Sequence, residues 1–582
     1  MNLKRTKRNL FLIISSLMLG CVVFQGFYEN ITAPNLISHF NTSLENIVLP
    51  ETKVGVAKSS RENASEITFA EIETLVRQAV ELAGGFEELI TDGDVVILKP
   101  NLVSDYEETL SPQTLPPEVN GMTTDYRLVQ AVVNLVRERN PNGMVYILEG
   151  VANGTTRGNM ETLFYDENHI SGVDDFLYLE EISGGYREYS SENLVEVTLP
   201  ENVQLYADYM KPNNSSAYYL NKIYFEADVL ISLPVLKNHS ISNVTGAVKN
   251  VGIGATPQNI YGGAPGDNHR WVNNVIDHFP TNLHYWIHDF YLCRPVDYAI
   301  MDGLQGSKNG PTGQGSLNLA AAQQNMRLIL AGKDAVAVDA IASLMMSYDP
   351  QNVRHLVHLH NNNAGCAETS LISVRGINIP DVKKYYPSAY REDIYGWYTD
   401  STPPNVVVNS SYADNDEIHL DLSVDPETVK IELAVDGEII DQTAVSDYDN
   451  IRFDLPNLTD GEHVFTIYAY DRFLNRSEVV LNIVTDVDDN INETPGSFGL
   501  LQNYPNPFNP TTTIEFNLSA SGHVNLSVYS ITGEKITTLV DDYKSAGTHS
   551  FLFDASNQSS GIYLYQLNTS GLSKTKQMVL VK

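Results

Sequence analysis

Hydrophobic residues recur with two different periods along this chain, and the change of period separates two kinds of domain. Between about residues 50 and 390, short apolar runs typical of buried strands alternate with segments whose apolar residues have helical spacing. The predicted strands include 95–101, 144–150, 297–304 and 326–332, and the predicted helices include 127–139 and 334–346. Strands separated by helices predict an α/β domain with a largely parallel sheet. We assign this domain to residues 27–400, with 151–225 as an insertion or cap.

From residue 401 onward, apolar and polar residues alternate with the period of a strand. Turn signals such as Asp436-Gly437 separate these runs, and no helix of useful length is predicted among them. Residues 401–487 are therefore predicted to form a small β-sandwich, which is similar to immunoglobulin-like or fibronectin-type modules. A polar linker at 488–499 leads to a second small all-β sandwich domain at 500–582.

The first 26 residues have the layout of a secretory signal peptide. Four basic residues between positions 4 and 8 precede an apolar run that ends at Phe24. A run of ~15 apolar residues is short for a membrane helix, which needs ~20. Lipoprotein processing at Cys21 is the minority alternative, because Leu19 is bulky for such a cleavage site. The mature protein is expected to be exported and to have no membrane span.

The charge balance and the cysteines exclude several classes of partner and cofactor. The chain has 72 acidic against 37 basic residues, a net charge of −35, and this negative field argues against nucleic acid as a partner. Its three cysteines, Cys21, Cys293 and Cys366, form no closely spaced group, so no cysteine-ligated iron–sulfur cluster is expected. A disulfide between Cys293 and Cys366 is compatible with the sequence, but spacing alone does not establish it.

Ionisable and amide side chains follow the apolar part of several predicted strands. Lys99 and Asn101 follow the first, Glu149 the second, and Asp302 a later one; Lys237 and His239 follow a strand at 227–236. In an open α/β sheet, ligands bind outside the carboxyl ends of the strands. This clustering predicts a binding site at that edge of the sheet.

The segment TGAVKNVGIGATP adds Thr245, Lys249 and Asn250 to this predicted site. Its glycines allow the backbone to approach a ligand, and amides at a helix start can bind an anion. The segment is not a P-loop, since it lacks the required Lys-Ser/Thr after a glycine. We expect Lys237 and Lys249 to hold the charge of a small anionic molecule, with Lys99, Asn101, Thr245 and Asn250 as further ligand-binding residues.

Catalysis and metal binding are open alternatives at this edge. His239 is the candidate proton carrier, with Lys237 beside it. Glu149 and Asp302 are weak candidates for a divalent metal together with His239, and salt bridges from these acids to Lys99 and Lys237 are the simpler alternative. The histidines of HYWIH and RHLVHLH are interpreted as surface or packing residues; they are His284, His288, His355, His358 and His360.

Five ordered motifs carry a resemblance to a known family across roughly residues 50–390. They are VVILKPNLV, ADVLISLPVLKNH, TGAVKNVGIG, AIMDGLQGSKNGPTGQG and LILAGKDAVAVDAIASLMM. This set resembles the domain of unknown function 362 family. The resemblance implies an α/β domain whose activity has no settled assignment, sometimes found beside ferredoxin-like iron–sulfur modules. This chain lacks their cysteine clusters.

The C-terminal segment carries a second resemblance. It opens with NYPNPFNP at 503–510 and continues with SVYSITGEKI, SGIYLYQL and the terminal KQMVLVK. These motifs resemble the C-terminal sorting domain of type IX secretion cargo. The resemblance implies the type IX machinery as a partner, export in a bacterium of the Bacteroidota or a relative, removal of the domain, and release or surface attachment.

Together these observations predict an exported protein whose α/β domain binds a small anionic ligand. In one form of this hypothesis, the protein is an enzyme that uses a divalent metal. The alternative is a non-catalytic surface binding or adhesion protein.

Overall fold

The computed structural model describes most of the chain between residues 52 and 582. The described residues are 52–86, 88–102, 118–150, 156–179, 192–199, 217–257, 261, 276, 282–308, 322–387, 398, 400–414, 417–449, 451–456, 461–485, 499–518, 521–531, 534–569 and 572–582. The predicted signal peptide and most of the predicted linker lie outside them. The chain divides into two compact units, one comprising Met1–Leu458 with Glu462–Val484 and the other Thr459–Gly461 with Thr485–Lys582.

The α/β domain is built on one mixed sheet. The strands of this domain, in chain order, are β1 (Thr52–Lys58), β2 (Val95–Pro100), β3 (Met144–Glu149), β4 (Asp175–Tyr178), β5 (Leu194–Val197), β6 (Tyr218–Asn221), β7 (Val229–Leu233), β8 (Val235–His239), β9 (Asn243–Val244), β10 (Tyr298–Ser307), β11 (Leu328–Gly332) and β12 (Ile372–Arg375). The main path of the sheet is β12-β1-β11-β10-β7-β2-β3-β4, and β8 extends it beside β10. Only β11 on this path runs antiparallel to both neighbours, so the predicted, largely parallel sheet is confirmed.

Helices cover both faces of this sheet. They are α1 (Phe69–Leu82), α2 (Tyr126–Arg139), α3 (Thr156–Thr162), α4 (Lys222–Glu226), α5 (Gly246–Gly252), α6 (Asn282–Cys293), α7 (Ala335–Met345) and α8 (Arg354–Asn361). On one face of the sheet, an apolar core contains residues of α1 and α2 together with alternate residues of β2 and β7. On the other face, a second core contains residues of the four helices α5, α6, α7 and α8 together with the intervening residues of the same strands, such as Ile97 and Leu230. Strands buried on both faces read as nearly continuous apolar runs, which is why β7 reads VLISL, with Ser232 as its only polar residue.

Three sequence-based boundaries change in the structure. The strand predicted at 297–304 continues to Ser307, so Asp302, predicted to follow the apolar part of this strand, lies inside β10. Lys237 and His239 belong to β8, a separate strand that follows β7 after Pro234. Residues 175–178, predicted within an insertion, pair with β3 as the edge strand of the main sheet.

The first all-β module consists of seven antiparallel strands in two sheets. They are β13 (Val406–Asp414), β14 (Glu417–Val424), β15 (Thr428–Val435), β16 (Glu438–Ala444), β17 (Ile451–Pro456), β18 (Gly461–Asp471) and β19 (Arg476–Thr485). The sheet orders are β13-β14-β17 and β16-β15-β18-β19. The predicted small all-β fold is confirmed.

This module packs on the α/β domain through buried polar contacts as well as apolar ones. The buried Lys430 ammonium donates to the Ile372 carbonyl at 2.9 Å and lies 3.0 Å from the Glu432 carboxylate. Glu432 also accepts from the Tyr470 hydroxyl at 2.8 Å. The rings of Tyr398 and Phe473 stack at 4.2 Å, so the α/β core continues into the module.

The second unit has its own strands and its own core. They are β20 (Gly499–Leu500), β21 (Thr511–Leu518), β22 (Gly522–Ser530), β23 (Lys535–Lys544), β24 (Gly547–Asp554), β25 (Gly561–Thr569) and β26 (Leu572–Leu580). The sheets β20-β21-β24 and β23-β22-β25-β26 enclose an apolar cluster that includes Phe516 and Tyr565. In its Pro-Asn-rich opening, the buried Asn503 amide donates to the Pro505 carbonyl and to the Thr512 hydroxyl.

Two further sequence questions are answered in the described residues. Cys293 and Cys366 are both free thiols, so they form no disulfide, and Cys21 lies outside the described residues. No helix in the described part of the chain is long and apolar enough to cross a membrane.

Replacing Lys430 by Met should lower the free energy of unfolding of the first unit by roughly 1–3 kcal/mol, because the buried Glu432 carboxylate would lose its ammonium partner and keep only the longer ion pair to Arg375, at 3.5 Å. The chain's tryptophans, Trp271, Trp286 and Trp397, all lie in this unit, so their fluorescence during urea unfolding of the full chain measures its stability. The double variant Lys430→Met/Glu432→Gln should recover part of the loss. Wild-type stability in the single variant would show that the pair does not hold the module in place.

Candidate functional site

A buried ion pair lies where β2 and β3 end. The Lys99 ammonium pairs with the Glu149 carboxylate, and both side chains are almost fully buried. The carboxylate also accepts from the backbone amides of Leu102 at 2.9 Å and Gly150 at 2.7 Å. The predicted alternative of salt bridges from Glu149 and Asp302 to Lys99 and Lys237 is confirmed for Lys99 and Glu149 only; within the described residues Asp302 forms no ion pair with either lysine. The charge of Lys99 is therefore neutralised inside the protein.

Asn250 of α5 ties this pair to the neighbouring strands. Its amide nitrogen donates to the Lys99 carbonyl at 2.9 Å and to the Ser232 hydroxyl at 3.1 Å. Its amide oxygen accepts from the Asn101 side chain at 3.1 Å. Because both ends of the Asn250 side chain are in use, Asn250 positions Lys99 and Asn101. The side-chain oxygen of Asn101 is buried and has no hydrogen-bond partner among the described residues.

Lys237 has no such neutralising partner. Its side chain is fully buried in β8, and its ammonium donates to the Met122 carbonyl. In the described residues no carboxylate lies within ion-pair distance of it. Burial lowers the pKa of Lys237 to about 7; the Glu149 charge opposes this effect and the Lys99 charge adds to it.

Lys249 and Thr245 are also without partners in the described part of the chain. Lys249 lies on α5, is partly buried, and has no hydrogen bond or ion pair there. Burial lowers its pKa well below the usual value, and the Lys237 charge lowers it further. The buried hydroxyl of Thr245 has no hydrogen-bond partner. Two amines and a hydroxyl are thus available at this edge of the sheet.

The amides at the start of α5 are already occupied. The Asp339 carboxylate of α7 accepts from the amides of Ala247 at 2.6 Å and Val248 at 2.9 Å. Gly246 has a φ of 57°, and a Cβ there would collide with this carboxylate. Burial raises the pKa of Asp339 to about 7, while its hydrogen bonds to both amides lower it. The expectation that amides at this helix start bind an external anion is therefore wrong, because an internal carboxylate binds them.

His239 is buried near the end of β8. Its Nδ1 accepts from the backbone amides of Ile241 at 3.1 Å and Ser242 at 3.2 Å. An accepting Nδ1 carries a lone pair, so the proton of the neutral ring is on Nε2. His239 is therefore oriented as a donor through Nε2.

Asp302 lies in the middle of β10, where its carboxylate is bound by backbone amides of the protein. Its carboxylate accepts from the amides of Asp125 and Leu304, both at 2.9 Å. Burial raises the pKa of Asp302 to about 7, and the nearby Asp125 charge raises it further. Within the described residues, no group of three or more His, Cys, Asp or Glu side chains could hold a metal ion. The weak metal candidates Glu149 and Asp302 therefore belong to no such group among the described residues.

The histidines predicted as packing residues form a buried contact between two helices. Nδ1 of His284 on α6 lies 2.9 Å from Nδ1 of His355 on α8. Burial lowers the pKa of both histidines, and the Lys249 charge lowers both further. His288 contacts the Asp289 carboxylate at 2.6 Å. Sequence spacing identified the histidines but not their pairing, because it depends on how α6 and α8 pack.

Replacement by Met, which keeps the aliphatic bulk, should lower the free energy of unfolding much more at Lys99 than at Lys237. Lys99→Met leaves the buried Glu149 carboxylate unpaired and should cost ~3 kcal/mol of unfolding free energy. Lys237→Met removes a desolvated amine that has no carboxylate partner but leaves the Met122 carbonyl without its donor, and because these two effects oppose each other we expect a change within about 1 kcal/mol. Urea unfolding of the two variants, with Lys99→Met/Glu149→Gln as control, measures the difference. Equal losses in both would contradict the assignment of different environments.

Two family models and one protein relative match parts of this chain. Residues 96–343 match the family described as Domain of unknown function (DUF362), and residues 502–582 match the Secretion system C-terminal sorting domain. Thylakoid-associated protein sll1697 of Synechocystis is 23% identical over 279 residues, which are 48% of this chain and 71% of that protein.

Solved structures give weaker likenesses. Dimeric latent PorU from Porphyromonas gingivalis is 20% identical with a TM-score of 0.17, over 31% of this chain and 20% of that one. The lactate racemase apoprotein from Thermoanaerobacterium thermosaccharolyticum is 17% identical with a TM-score of 0.26, over 45% and 52%. Fibronectin(III)-like modules of Clostridium thermocellum CbhA are 14% identical with a TM-score of 0.15, over 30% and 93%. This chain thus spans a fifth of the PorU chain and half of the racemase chain, and these likenesses carry no functional inference.

Both resemblances seen in the sequence are confirmed: the chain carries a DUF362 domain at residues 96–343 and a secretion system C-terminal sorting domain at residues 502–582.

Proposed function

We propose that the α/β domain binds a small anionic molecule at the carboxyl edge of its sheet, in a protein that is exported by type IX secretion. The observation that carries this proposal is the presence there of two amines, Lys237 and Lys249, with no carboxylate partner in the described residues. Their neighbour Lys99 has such a partner in Glu149. An anion that binds would supply the missing charge.

The charge state of the two amines supports the same function. Lowered pKa values mean that the empty site holds less positive charge at neutral pH than two exposed lysines would. A bound anion favours the protonated forms and raises those pKa values again. Binding should therefore take up protons, and the affinity should depend on pH near neutrality.

The remaining residues of the site have distinct roles in this proposal. Lys237, Lys249 and Thr245 contact the ligand, because each has unused hydrogen-bonding capacity. Lys99, Asn101 and Asn250 hold the walls of the site. In the enzymatic form of the proposal, Lys237 and the Nε2–H of His239 transfer protons to and from the ligand.

Export is supported by the sorting domain at residues 502–582. The second unit encloses its own apolar core, so the first unit keeps a complete core without it. We propose that the sorting domain is removed after export, and that the first unit is the mature, functional form.

Sulfate is a suitable probe for the charge of the site, because it has no proton to lose near neutral pH. Calorimetric titration should give an affinity that is highest below pH ~7 and falls as the pH rises through this value, at most about tenfold per pH unit for one linked proton. This sign follows because the free amine has the lower pKa and the complex the higher one.

Lys237→Met should weaken sulfate binding by roughly 10- to 150-fold, the equivalent of a hydrogen bond to a charged group. The same variant should show a shallower pH dependence. The exposed Lys333→Met serves as the control and should bind as the wild type does. Unchanged affinity in Lys237→Met would place the anion site elsewhere.

Removal of the sorting domain can be tested in the native host. Mass spectrometry of the exported protein should show loss of the residues after about 490, where the predicted linker lies. An intact C-terminus ending at Lys582 on exported protein would contradict the proposed removal. Intracellular retention of the full chain would contradict export itself.

A further inference from the structure

A cleft of about 500 Å³ opens at the amino edge of the main sheet, where β2 begins and where α4 leads into β7. Val95, the first residue of β2, lies in its lining. Because a strand rises ~3.3 Å per residue, Val95 is ~13 Å from Lys99 on the same strand. Small-molecule sites have volumes of roughly 300–1,000 Å³, so the cleft has the size of such a site. It is separate from the anion site proposed at the carboxyl edge.

One part of the lining of this cleft is apolar. Val95, Ile223 and Ala227 contribute aliphatic surface, and Tyr146 of β3 contributes an aromatic ring. The Tyr146 side chain is partly buried and packs against the apolar core that contains α5 to α8. A lining of aliphatic and aromatic side chains suits the apolar body of an organic molecule.

The other part of the lining is polar and mostly charged. The β5–β6 hairpin places Lys222 beside Asn193, since the Lys222 amide donates to the Asn193 carbonyl at 2.8 Å. Glu192 is the preceding residue, and Glu226 lies one turn of α4 beyond Lys222. All of these except Glu226 belong to the segment 151–225, which was predicted as an insertion or cap. The three charged side chains are exposed and form no ion pair with another described residue, so their charges are available to a ligand.

The charges around the cleft favour a cation. Two carboxylates, Glu192 and Glu226, line it together with one ammonium, Lys222. The Asp228 carboxylate accepts the Val95 amide at 3.0 Å and adds a further negative charge at this edge. A negatively charged cleft concentrates cations, and the face of an aromatic ring attracts an ammonium group. Together with the apolar lining, these features fit a cation that has an organic body.

We infer that the cleft binds a small organic amine, whose ammonium group pairs with Glu192 and Glu226 and whose apolar body packs against Tyr146 and Ile223. Lys222 supplies a counter-charge for a carboxylate. An amino acid with an apolar side chain carries the same ammonium group and therefore belongs to the same class of ligand. This second site does not depend on the proposed anion site.

Three probes of similar size separate the charge from the apolar body. Phenethylamine is a cation, 2-phenylethanol is neutral and phenylacetate is an anion. Calorimetric titration of the full chain at neutral pH should show that phenethylamine binds roughly 3- to 30-fold tighter than 2-phenylethanol, the equivalent of two exposed charge pairs. Phenylacetate should bind weakest. Phenylalanine distinguishes the two sources of the ammonium group: tighter binding than that of phenethylamine indicates an amino acid, and weaker binding indicates an amine without a carboxylate.

Charge-removing variants test whether the amine binds in this cleft. Glu192→Gln/Glu226→Gln should lose the preference for phenethylamine over 2-phenylethanol. Because both exchanged side chains are exposed, this variant should fold and should melt at the wild-type temperature. Tyr146→Leu should weaken the binding of both probes. Glu196→Gln is the matched control, because it removes an exposed carboxylate from β5 outside the lining of the cleft and should keep the preference.

Several results would overturn the inference. They are a preference that persists in Glu192→Gln/Glu226→Gln, equal binding of all three probes by the wild type, and no binding of any of them. An equal loss of preference in Glu196→Gln would show a general attraction to the acidic surface and would overturn it as well. The affinity for phenethylamine should be the same with and without sulfate at matched ionic strength, and competition between the two would contradict a separate site. Failure of sulfate to bind would contradict the proposed anion site alone.

Discussion

A positive charge buried at the end of a strand must be balanced, and the lysines at the carboxyl edge of this sheet differ in how that is achieved. Lys99 has Glu149, whose remaining hydrogen bonds come from two backbone amides. Removing one partner of such a pair is costly because the other charge stays buried. Lys237 and Lys249 have lowered pKa values instead. The first arrangement stabilises the fold, and the second leaves two amines without a carboxylate partner in the described residues, which is why we propose an anion there.

The position of these amines depends on how α5 is held. Asp339 binds the amides at the start of this helix, and Asn250, four residues further along than Gly246, bonds to β2 and β7. With an internal carboxylate at its N-terminus, α5 contributes no free backbone donors to an anion. In the anion site that we propose, the charge and the hydrogen bonds of a ligand would therefore be met by the side chains of Lys237, Lys249 and Thr245.

Strongly periodic segments made most of the α/β fold predictable, including β2, β3, α2 and α7. The Lys99–Glu149 pair was foreseeable as an alternative, because adjacent parallel strands end at the same edge. The end of β10 was predicted at residue 304 instead of Ser307, because the residues after Leu304 are polar or glycine and so do not continue the apolar run. The roles of Asp339 and His355 were not foreseeable, because their partners lie 91 and 71 residues away in the chain and meet only through helix packing.

The first all-β module also limits where function can lie. Its buried Lys430 and Glu432 contact the edge strand β12, and its Tyr470 and Leu474 belong to the same apolar core as the helices α5 to α8. A module that shares a core with the α/β domain cannot move as an independent tether without exposing that core. The face of the module that contacts β12 and the α/β core is buried in that contact, so it cannot bind another protein. The anion site that we propose accordingly lies in the α/β domain, with Lys237 on strand β8 and Lys249 on helix α5, which shares its apolar core with the module.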